Sequence, residues 1–343
     1  MTRKPPGLSA VAEHAGVSTS LVSRVLNGDP TLRVSAATRE RVEAAARELK
    51  YVPHGAARAL RLAKAGALGL VVHDVSNPIH AEVIRGAQAA CAAADQVLLL
   101  AEAPDLAANP AAFDRLLGDG RIDGLLWQGS GYDFDDELPK RASERMPTLL
   151  VNSRSREGVP AVRLDDEAAA EVAVEHLIGL GHRDIGYVGG RPGSDLSVRR
   201  KAGWANALAR HGLAARPEWA VERNWDPEAG HAAMNALLAA PERPSAVFVA
   251  NVVICVGALA AAREAGVRVP DELSVIALHD AWFVAHGAPP LTTVRLPLAA
   301  MGTRGVELAL AGTSHPSEEH LITEPAPRLL VRGSTAVPAR KDT

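Results

Sequence analysis

Apolar residues beyond position 66 fall into two kinds of run that alternate along the chain. Short runs rich in β-branched residues or leucine, such as ALGLVVHDV (67–75) and AVFVA (246–250), predict buried strands, whereas the run at 79–94 has helical character. This alternation predicts parallel sheets covered by helices on both faces. It starts again near residue 168, so we expect an α/β body of two doubly wound parallel-sheet subdomains.

The loops that follow the predicted strands are the expected place for a binding site. We predict strands at 67–75, 97–102, 122–128, 147–152, 184–190, 219–223, 246–250 and 273–278, and helices that include 79–94, 111–117 and 168–183. Ligands of such sheets bind outside the carboxyl ends of the strands. The loops there carry Asp74, Asn77, Gln128, Arg200, Trp225, Asn251, His279 and Asp280. A polar set with one large aromatic residue suits hydroxylated small molecules.

Residues 8–51 show instead the 3.6-residue period of short amphipathic helices. Ser9 can cap a first helix that Gly16 ends. Ser18 offers the N-cap of a second helix, and a third helix begins at Ser35. Two short helices joined by a glycine-containing turn predict a helix-turn-helix, whose second helix lies in the major groove of DNA. From spacing alone, a three-helix bundle that binds another protein remains an alternative.

Charge is distributed unevenly, although the formal net charge is -3. Residues 1–64 carry 11 Lys and Arg against 5 Asp and Glu, a charge of +6, and the remainder carries -9. A basic terminal domain on an acidic body indicates that one end binds a polyanion. A solvated basic tail would need low complexity and few apolar residues, and residues 8–51 have neither property.

The composition predicts a globular, cytoplasmic protein. Hydrophobic residues make up 47% of the 343 residues and charged residues 22%, which indicates two or three folded domains. Cys91 and Cys255 are too few for a disulfide framework or a thiolate zinc site, and they suit a reducing compartment. No apolar run follows residues 1–7, so we expect no secretory signal. A strand and a helix explain the apolar stretch at 246–262 better than a membrane span does.

Catalytic motifs are absent from the sequence. It contains no G-x-S-x-G, H-E-x-x-H or C-x-x-C, and the glycine-rich stretch at 186–194 lacks the order of a nucleotide-binding loop. His176 and His182 suit a helix surface and a helix end better than they suit metal ligation. We therefore expect neither an enzyme nor a cofactor or metal site.

The basic end closely resembles the DNA-binding headpiece of the LacI/GalR family. The resemblance is carried by VAEHAGVSTSLVSRVLN (11–27) and VSAATRERVEAAARELKYVP (34–53). It implies a helix-turn-helix that reads the major groove. The residues that it implies for DNA binding are Thr19, Ser20 and Arg24 at the bases and Ser18, Ser23 and Asn27 near the backbone.

The next segment, PHGAARALRLAKAG (53–66), is cationic and too short to form a stable helix alone in water. The resemblance implies a hinge helix that folds on operator DNA, with Leu60 wedged into the minor groove. We include Ala57 and Arg58 among the DNA-binding residues, since arginine attracts phosphates. An ordinary linker with an accidental leucine is the alternative.

The body resembles the effector domain of the same family to about residue 335, through motifs such as EHLIGLGHRDIGYVGG (175–190). The resemblance implies two subdomains, as in periplasmic sugar-binding proteins, that clamp a small-molecule effector between them. It implies that Arg200 contacts the effector and that Trp225 stacks on it. The predicted effector-binding residues are Asp74, Asn77, His80, Gln128, Arg200, Trp225, Asn251 and His279.

The predicted pocket departs from the family pattern. The family commonly has Asp-Asp where this chain has His279 and Asp280, and an aromatic residue where it has His80. The first aspartate usually grips sugar hydroxyls, so an imidazole there alters the chemistry. The effector is then either a sugar or an acidic metabolite that suits Arg200. A structural ion pair of Arg200 is the alternative to its role in the effector site.

The sequence thus predicts a sequence-specific DNA-binding transcriptional repressor under effector control, with no membrane role. Two headpieces on a homodimer would read a pseudopalindromic operator. The predicted parts are a headpiece (1–52), a hinge (53–65), a first subdomain (66–163 and 296–322), a second subdomain (164–295 and 323–336) and a tail (337–343). A solute-binding protein without a DNA role, which senses or carries a sugar-like metabolite, is the alternative function, and an enzyme on the same fold is a third.

Overall fold

The computed structural model describes residues 6–26, 29, 31–51, 64–156, 158–312 and 318–339. The chain divides into two compact units, Met1–Gly66 and Ala67–Thr343, which are called the headpiece and the body below. Four of the residues predicted to bind DNA lie outside the described residues: Asn27, Ala57, Arg58 and Leu60.

In its described residues the headpiece folds as three helices around a small apolar core. The helices are α1 (Leu8–Ala15), α2 (Thr19–Leu26) and α3 (Ala36–Glu48). Each helix contributes a fully buried valine to this core, namely Val11, Val22 and Val42. The helix-turn-helix that the sequence predicts is therefore confirmed.

The ends of the headpiece helices follow the sequence signals with one exception. The hydroxyls of Ser18 and Ser35 each accept a hydrogen bond at 3.2 Å from the backbone N–H three residues later. Gly16 ends α1 at φ 63°, in the left-handed region that favours glycine. The prediction that Ser9 caps α1 is wrong. Gly7 already supplies the extended backbone of an N-cap, so Ser9 falls inside the first turn.

The body is built on two six-stranded sheets. Its strands are β1 (Ala67–Val72), β2 (Val97–Glu102), β3 (Gly124–Gln128), β4 (Thr148–Val151), β5 (Ala161–Leu164), β6 (Ile185–Gly189), β7 (Ala220–Glu222), β8 (Ala246–Val249), β9 (Ser274–Leu278), β10 (Thr292–Arg295), β11 (Glu319–Ile322) and β12 (Arg328–Leu330). The first sheet has the order β11-β5-β4-β3-β1-β2, and the second has the order β12-β10-β9-β8-β6-β7.

Helices separate these strands along the chain. They are α4 (Pro78–Ala93), α5 (Ala103–Ala108), α6 (Pro110–Gly118), α7 (Phe134–Ser143), α8 (Asp166–Gly179), α9 (Asp195–Arg210), α10 (Pro227–Leu238), α11 (Val252–Glu264) and α12 (Leu298–Ala311). None of the helices in the described ranges combines the length and the apolar character that a membrane crossing requires.

The predicted doubly wound architecture is confirmed, with one antiparallel exception. Every neighbouring pair of strands is parallel except β10 and β12. The chain passes between the sheets three times: between β5 and β6, between β10 and β11, and between β11 and β12. These passages support the predicted division into two subdomains, whose residue boundaries stay a prediction.

Four strands are not predicted from the sequence, although the equally short β4, β7 and β8 are. β5, β10 and β11 have four residues each and β12 has three. β10 buries Thr292 and Thr293, so it lacks the apolar run that marks the central strands. β11 is an edge strand whose residues alternate between exposed and half-buried, which gives a weak signal over four positions.

Candidate functional site

A cavity of about 410 Å³ lies where strands of both sheets end in the body. Its lining residues lie at or after the ends of β1, β3 and β4 of the first sheet and of β6, β7, β8 and β9 of the second. The prediction that Arg200 stands in a loop is wrong, because the helix α9 begins at Asp195 and includes it. The structure brings together in this cavity all eight residues predicted to bind an effector: Asp74, Asn77, His80, Gln128, Arg200, Trp225, Asn251 and His279. Their role toward a ligand stays a prediction.

Asp280, the remaining loop residue with a polar side chain, does not line the cavity. Its carboxylate binds Arg332 at 2.8 Å and is also paired with Arg295 and the hydroxyl of Thr293. Burial alone would raise the pKa of Asp280, but these bonds hold it below its usual range. Asp280 therefore ties the end of β9 to the C-terminal segment.

Several lining residues were missed by the sequence analysis. They include His73, Ser130, Tyr132, Asn152, Leu196 and Asn224. His73 and Asn152 directly follow β1 and β4, so the rule that ligands bind at strand ends could have found them. Leu196 stands in the first turn of α9, and its place in the cavity depends on tertiary packing.

Arg200 lies at the buried end of the cavity and bonds mainly to the protein itself. Its Nε donates to the carboxylate of Asp166 at 2.8 Å, and its Nη1 donates to the backbone oxygen of Ala250 at 2.7 Å. Its Nη2 donates to Nε2 of His279 at 2.8 Å. The structural ion pair that the sequence left open is therefore present, and Arg200 also lines the cavity.

Asp166 holds two adjacent arginines. Its other oxygen binds Arg199, which also donates to Asp195 at 3.0 Å. Arg199 further donates to the backbone oxygens of Asn152 and Leu164, each at 3.2 Å, in the first sheet's half of the body. Burial alone would raise the pKa of Asp166, but the two guanidinium groups hold it below its usual range. Asp166 is therefore ionised at neutral pH, and together with Asp195 it balances the charge of the two arginines.

His279 is a neutral imidazole with one defined tautomer. Arginine has hydrogen-bond donors only, so the bond from Arg200 requires a lone pair on Nε2 of His279 and leaves the proton on Nδ1. Burial lowers the pKa of His279 well below its usual value, and the neighbouring Arg200 lowers it further. The backbone at His279 is left-handed, at φ 67°.

Trp225 forms an aromatic wall of the cavity and rests on a glycine. A Cβ atom on Gly190 would lie only 2.3 Å from the indole ring, so only glycine allows this approach. Arg200 lies on the ring as well, with its guanidinium carbon 5.8 Å from the ring centre. The indole Nε1 is buried and has no hydrogen-bond partner.

The loop after β3 is shaped by the buried carboxylate of Asp135. One oxygen accepts from the backbone N–H groups of Ser130, Gly131 and Tyr132, at 2.8 to 3.0 Å, and the other accepts from the indole of Trp127 at 2.9 Å. Two of these loop residues, Ser130 and Tyr132, line the cavity. Asp135 therefore positions this wall without touching the cavity itself.

His80 is a wall residue whose orientation is fixed by the backbone. Its Nδ1 lies 2.7 Å from the backbone oxygen of Asp74 and must donate to it, which leaves a lone pair on Nε2. Burial lowers the pKa of His80, so the imidazole is neutral near pH 7. No group of three or more metal-ligating side chains occurs in the described part of the chain.

In the headpiece, α2 presents the predicted DNA-reading residues. Thr19 and Ser20 are exposed, and Arg24 is half-buried. The Nε of Arg24 donates to Asp29 at 2.8 Å, and its Nη2 donates to Thr31 at 3.2 Å. The bonds from Arg24 and Thr31 hold the pKa of Asp29 well below its usual range. No local sequence pattern predicts this partner of Arg24, which stands five residues along the chain.

Ser18 and Ser23, predicted near the DNA backbone, lie at the start and middle of the same helical segment. Ser18 is exposed and Ser23 is half-buried. Because the hydroxyl of Ser18 accepts the bond from Leu21, it caps α2 in the headpiece as folded.

Known proteins resemble both units of the chain. The family profile for bacterial regulatory proteins of the lacI family matches residues 8–54, and the profile for a periplasmic binding protein-like domain matches residues 174–335. The HTH-type transcriptional repressor PurR of Erwinia tasmaniensis is 33% identical over 330 residues, which cover 95% of this chain and 96% of that protein. The chain belongs to the LacI family.

Solved structures of LacI-family proteins support this family assignment. A LacI family transcriptional regulator from Mycobacterium smegmatis has 37% identity and a TM-score of 0.73, over 79% of this chain and 100% of that chain. The lac repressor dimer bound to operator and the anti-inducer ONPF has 28% identity and a TM-score of 0.81, over 97% of this chain and 100% of that chain. The predicted function is thereby confirmed: the chain is a DNA-binding transcriptional repressor with an effector-binding body.

Proposed function

We propose that the cavity of the body binds the small-molecule effector that controls this repressor. The observation that carries the proposal is the convergence on one cavity of all eight predicted residues, which lie at strand ends, in the loops after strands and in helices α4 and α9. Because the walls come from both halves of the body, a ligand that bonds to both would stabilise one arrangement of the two halves over another. Differential affinity for two arrangements is what allosteric control requires.

A matched pair of tryptophan variants tests the effector site. Trp225 lines the cavity, whereas Trp282 is 80% exposed and does not line it. Metabolites that raise the melting temperature of the wild type are identified first, since a ligand that binds only the folded state stabilises it. We expect Trp225→Ala to lose this shift and Trp282→Ala to keep it. Equal shifts in both variants would contradict the effector site.

We propose that Thr19, Ser20 and Arg24 read bases of the operator from α2. The support is that α2 is the second helix of a helix-turn-helix and that Thr19 and Ser20 are exposed. The Nε of Arg24 donates to Asp29 and its Nη2 donates one hydrogen to Thr31. The Nη1 hydrogens and the second Nη2 hydrogen can therefore donate to a base edge. DNA selected by repeated binding to the protein supplies the operator for the measurements below.

We propose that the repressor acts as a homodimer on a pseudopalindromic operator. The edge strand β2 exposes three large apolar side chains, Val97, Leu99 and Leu100. Proteins usually cover exposed apolar edge strands, because the unpaired backbone groups of such strands can pair with other chains. A second copy of the chain on this edge would cover it and pair two headpieces.

Charge variants on opposite edges of the first sheet test the dimer. Leu100→Asp alters β2, and Leu321→Asp alters β11, whose leucine is exposed to a similar extent at 41% against 43%. We expect Leu100→Asp to sediment as a monomer while Leu321→Asp sediments like the wild type. A wild-type monomer at micromolar concentration would refute the proposal.

We propose further that the protein acts in the cytoplasm, where a repressor meets its operator, and that it catalyses no reaction. The relatives named above are repressors, which supports this. Incubation of the protein with each metabolite that shifts its melting temperature, followed by mass spectrometry, would reveal any turnover.

A further inference from the structure

Polar atoms without partners are concentrated in the cavity. Among the described residues, five buried side-chain atoms without a hydrogen-bond partner belong to lining residues: His73 Nδ1, Gln128 Oε1, Asn152 Oδ1, Trp225 Nε1 and His279 Nδ1. Buried polar groups in folded proteins are nearly always bonded. These atoms are therefore positions at which a ligand would complete the bonding of the protein.

The roles of two of these atoms follow from chemistry alone. The indole Nε1 of Trp225 can only donate, and Nδ1 of His279 must carry a proton because Nε2 accepts from Arg200. The amides of Gln128 and Asn152 each carry both a donor and an acceptor. The cavity therefore offers fixed donors at two points and adaptable amides at two others.

Charge in the cavity is balanced or negative. The charged lining residues in the described part of the chain are Arg200, Asp74 and Asp226. Arg200 and Arg199 share the carboxylate of Asp166, and Arg199 is also paired with Asp195, so two carboxylates balance the two guanidinium groups. His279 cannot become a cation while it accepts from Arg200, since protonation would place two donors face to face. An anionic ligand would thus meet no uncompensated cation among these lining residues; Arg191, whose guanidinium carbon lies 4.3 Å from the ring centre of Tyr132, does not line the cavity.

Helix N-termini also face the cavity, and they could in principle attract an anion. Residues that precede α4, α10 and α11 line it, namely Asn77, Asp226 and Asn251. Each of these side chains already accepts a backbone N–H in the first turn of its helix, at 2.7 to 3.0 Å. An anion would have to displace these caps, one of which is itself a carboxylate.

We infer that the effector is an uncharged polar molecule, and that the Nδ1–H of His279 selects it by donating to an acceptor oxygen or nitrogen. This inference rests on the proposed effector site. It decides between the two ligand classes that the sequence left open, in favour of a neutral ligand over an acidic metabolite. Hydroxyl, carbonyl and ring-nitrogen groups fit these donors and amides, and the cavity volume sets the size to that of a small metabolite.

Matched pairs of probes test the charge of the ligand. Each pair shares a polar skeleton and differs by one ionised group: hexoses with their uronic acids, cellobiose with cellobionate, and nucleosides with their 5′-monophosphates. Thermal shift and calorimetry on the full-length protein measure the binding of each probe. We expect the neutral member of a binding pair to bind at least about tenfold more tightly than the acid, equivalent to about 1.4 kcal/mol.

Comparison of the sugar pairs with the nucleoside pairs shows which class of neutral compound the cavity binds. An acid that binds more tightly than its neutral partner would overturn the inference and leave the effector site standing. No response to any probe of either class would overturn the effector site, and the inference with it.

Two isosteric variants test the donor at His279. Asn and Asp both tolerate the left-handed backbone at this position better than other residues with a side chain do. An Asn amide can donate where the Nδ1–H lies, whereas a carboxylate can only accept. We expect His279→Asn to bind the neutral probe more tightly than His279→Asp does, by at least about tenfold.

Equal affinity of the two variants, or tighter binding by His279→Asp, would overturn the role of His279 as a donor. Melting temperatures without ligand are measured for both variants to show that they are folded. If His279→Asp does not fold, the comparison of His279→Asn with the wild type carries the test, and a loss of more than about a hundredfold in His279→Asn contradicts the donor role.

Discussion

Arg200 should contribute strongly to the stability of the body, even though it lines a ligand cavity. Arg200→Ala removes an ion pair to Asp166 and hydrogen bonds to Ala250 and His279, all of them buried. Breaking a buried ion pair by removing one partner costs about 3–5 kcal/mol. Arg199 stays bonded to Asp166, so we expect the low end of that range, about 3 kcal/mol.

The assay is thermal unfolding followed by tryptophan fluorescence. All five tryptophans lie beyond residue 66, so the signal reports on the body and not on the headpiece. For a body of this size, a loss of about 3 kcal/mol lowers the melting temperature by roughly 6–12 °C. Arg216→Ala is the control, because it removes an arginine from an ion pair with Glu242 on the surface.

We expect Arg216→Ala to lose far less stability than Arg200→Ala does, since a surface ion pair and the contact of its guanidinium with Trp219, 4.3 Å from the ring centre, contribute little. If Arg200→Ala is no less stable than Arg216→Ala, the ion pair between Arg200 and Asp166 does not stabilise the body, and ligand binding would be the only role left for Arg200. An Arg200→Ala variant that is unstable but binds the effector as the wild type does would assign the residue to structure only.

Three further predictions address other parts of the molecule. Arg24→Ala should weaken operator binding by about 1–3 kcal/mol and binding to random DNA by less, as measured by fluorescence anisotropy; equal losses would make Arg24 a phosphate contact. Gly190→Ala should displace Trp225, destabilise the body by about 1–3 kcal/mol and abolish the effector-induced thermal shift, and a wild-type shift would contradict the packing described. The buried imidazole of His279 has a lowered pKa, so below pH 6.5 the unfolded chain takes up a proton that the folded chain does not. Stability should therefore fall with falling pH, and His279→Asn should reduce that slope by up to about 1.4 kcal/mol per pH unit; identical slopes would show that His279 does not contribute.

The sequence predicts which residues line the cavity better than it predicts the hydrogen bonds and ion pairs that these residues make. Gln128, Asn251 and His279 could be found because each directly ends or follows an apolar strand, and strand ends of parallel sheets converge. Asp166 could not be found in this way. It stands at the start of α8, and nothing in the local pattern distinguishes it from Asp165, which caps that helix.

The same limit applies to Arg24 and to the short strands. A helical pattern identifies the exposed face of α2, but the bond to Asp29 depends on how the chain turns after the helix. β10 and β12 pair through residues 293–295 and 328–330. Beside this pairing, Thr292 donates its N–H to the hydroxyl of Ser334 and accepts from the N–H of Arg332. These contacts join residues about 40 positions apart, and a local pattern of hydrophobicity carries no signal for them.

Some residues of the cavity wall are bonded to the rest of the protein and others are not, and this difference affects how such repressors acquire new effectors. Arg200 and its carboxylate are tied into the fold, so a substitution there costs stability before it alters recognition. Gln128, Asn152 and Trp225 present polar atoms that bond to no other part of the described chain. Substitutions at Gln128 and Trp225 can therefore change ligand preference without breaking a hydrogen bond of these atoms to the protein, whereas Asn152 has a left-handed backbone at φ 58° that disfavours most other residues. A library for redirecting the repressor to a different metabolite should randomise Gln128 and Trp225 and leave Asn152, Arg200 and Asp166 unchanged.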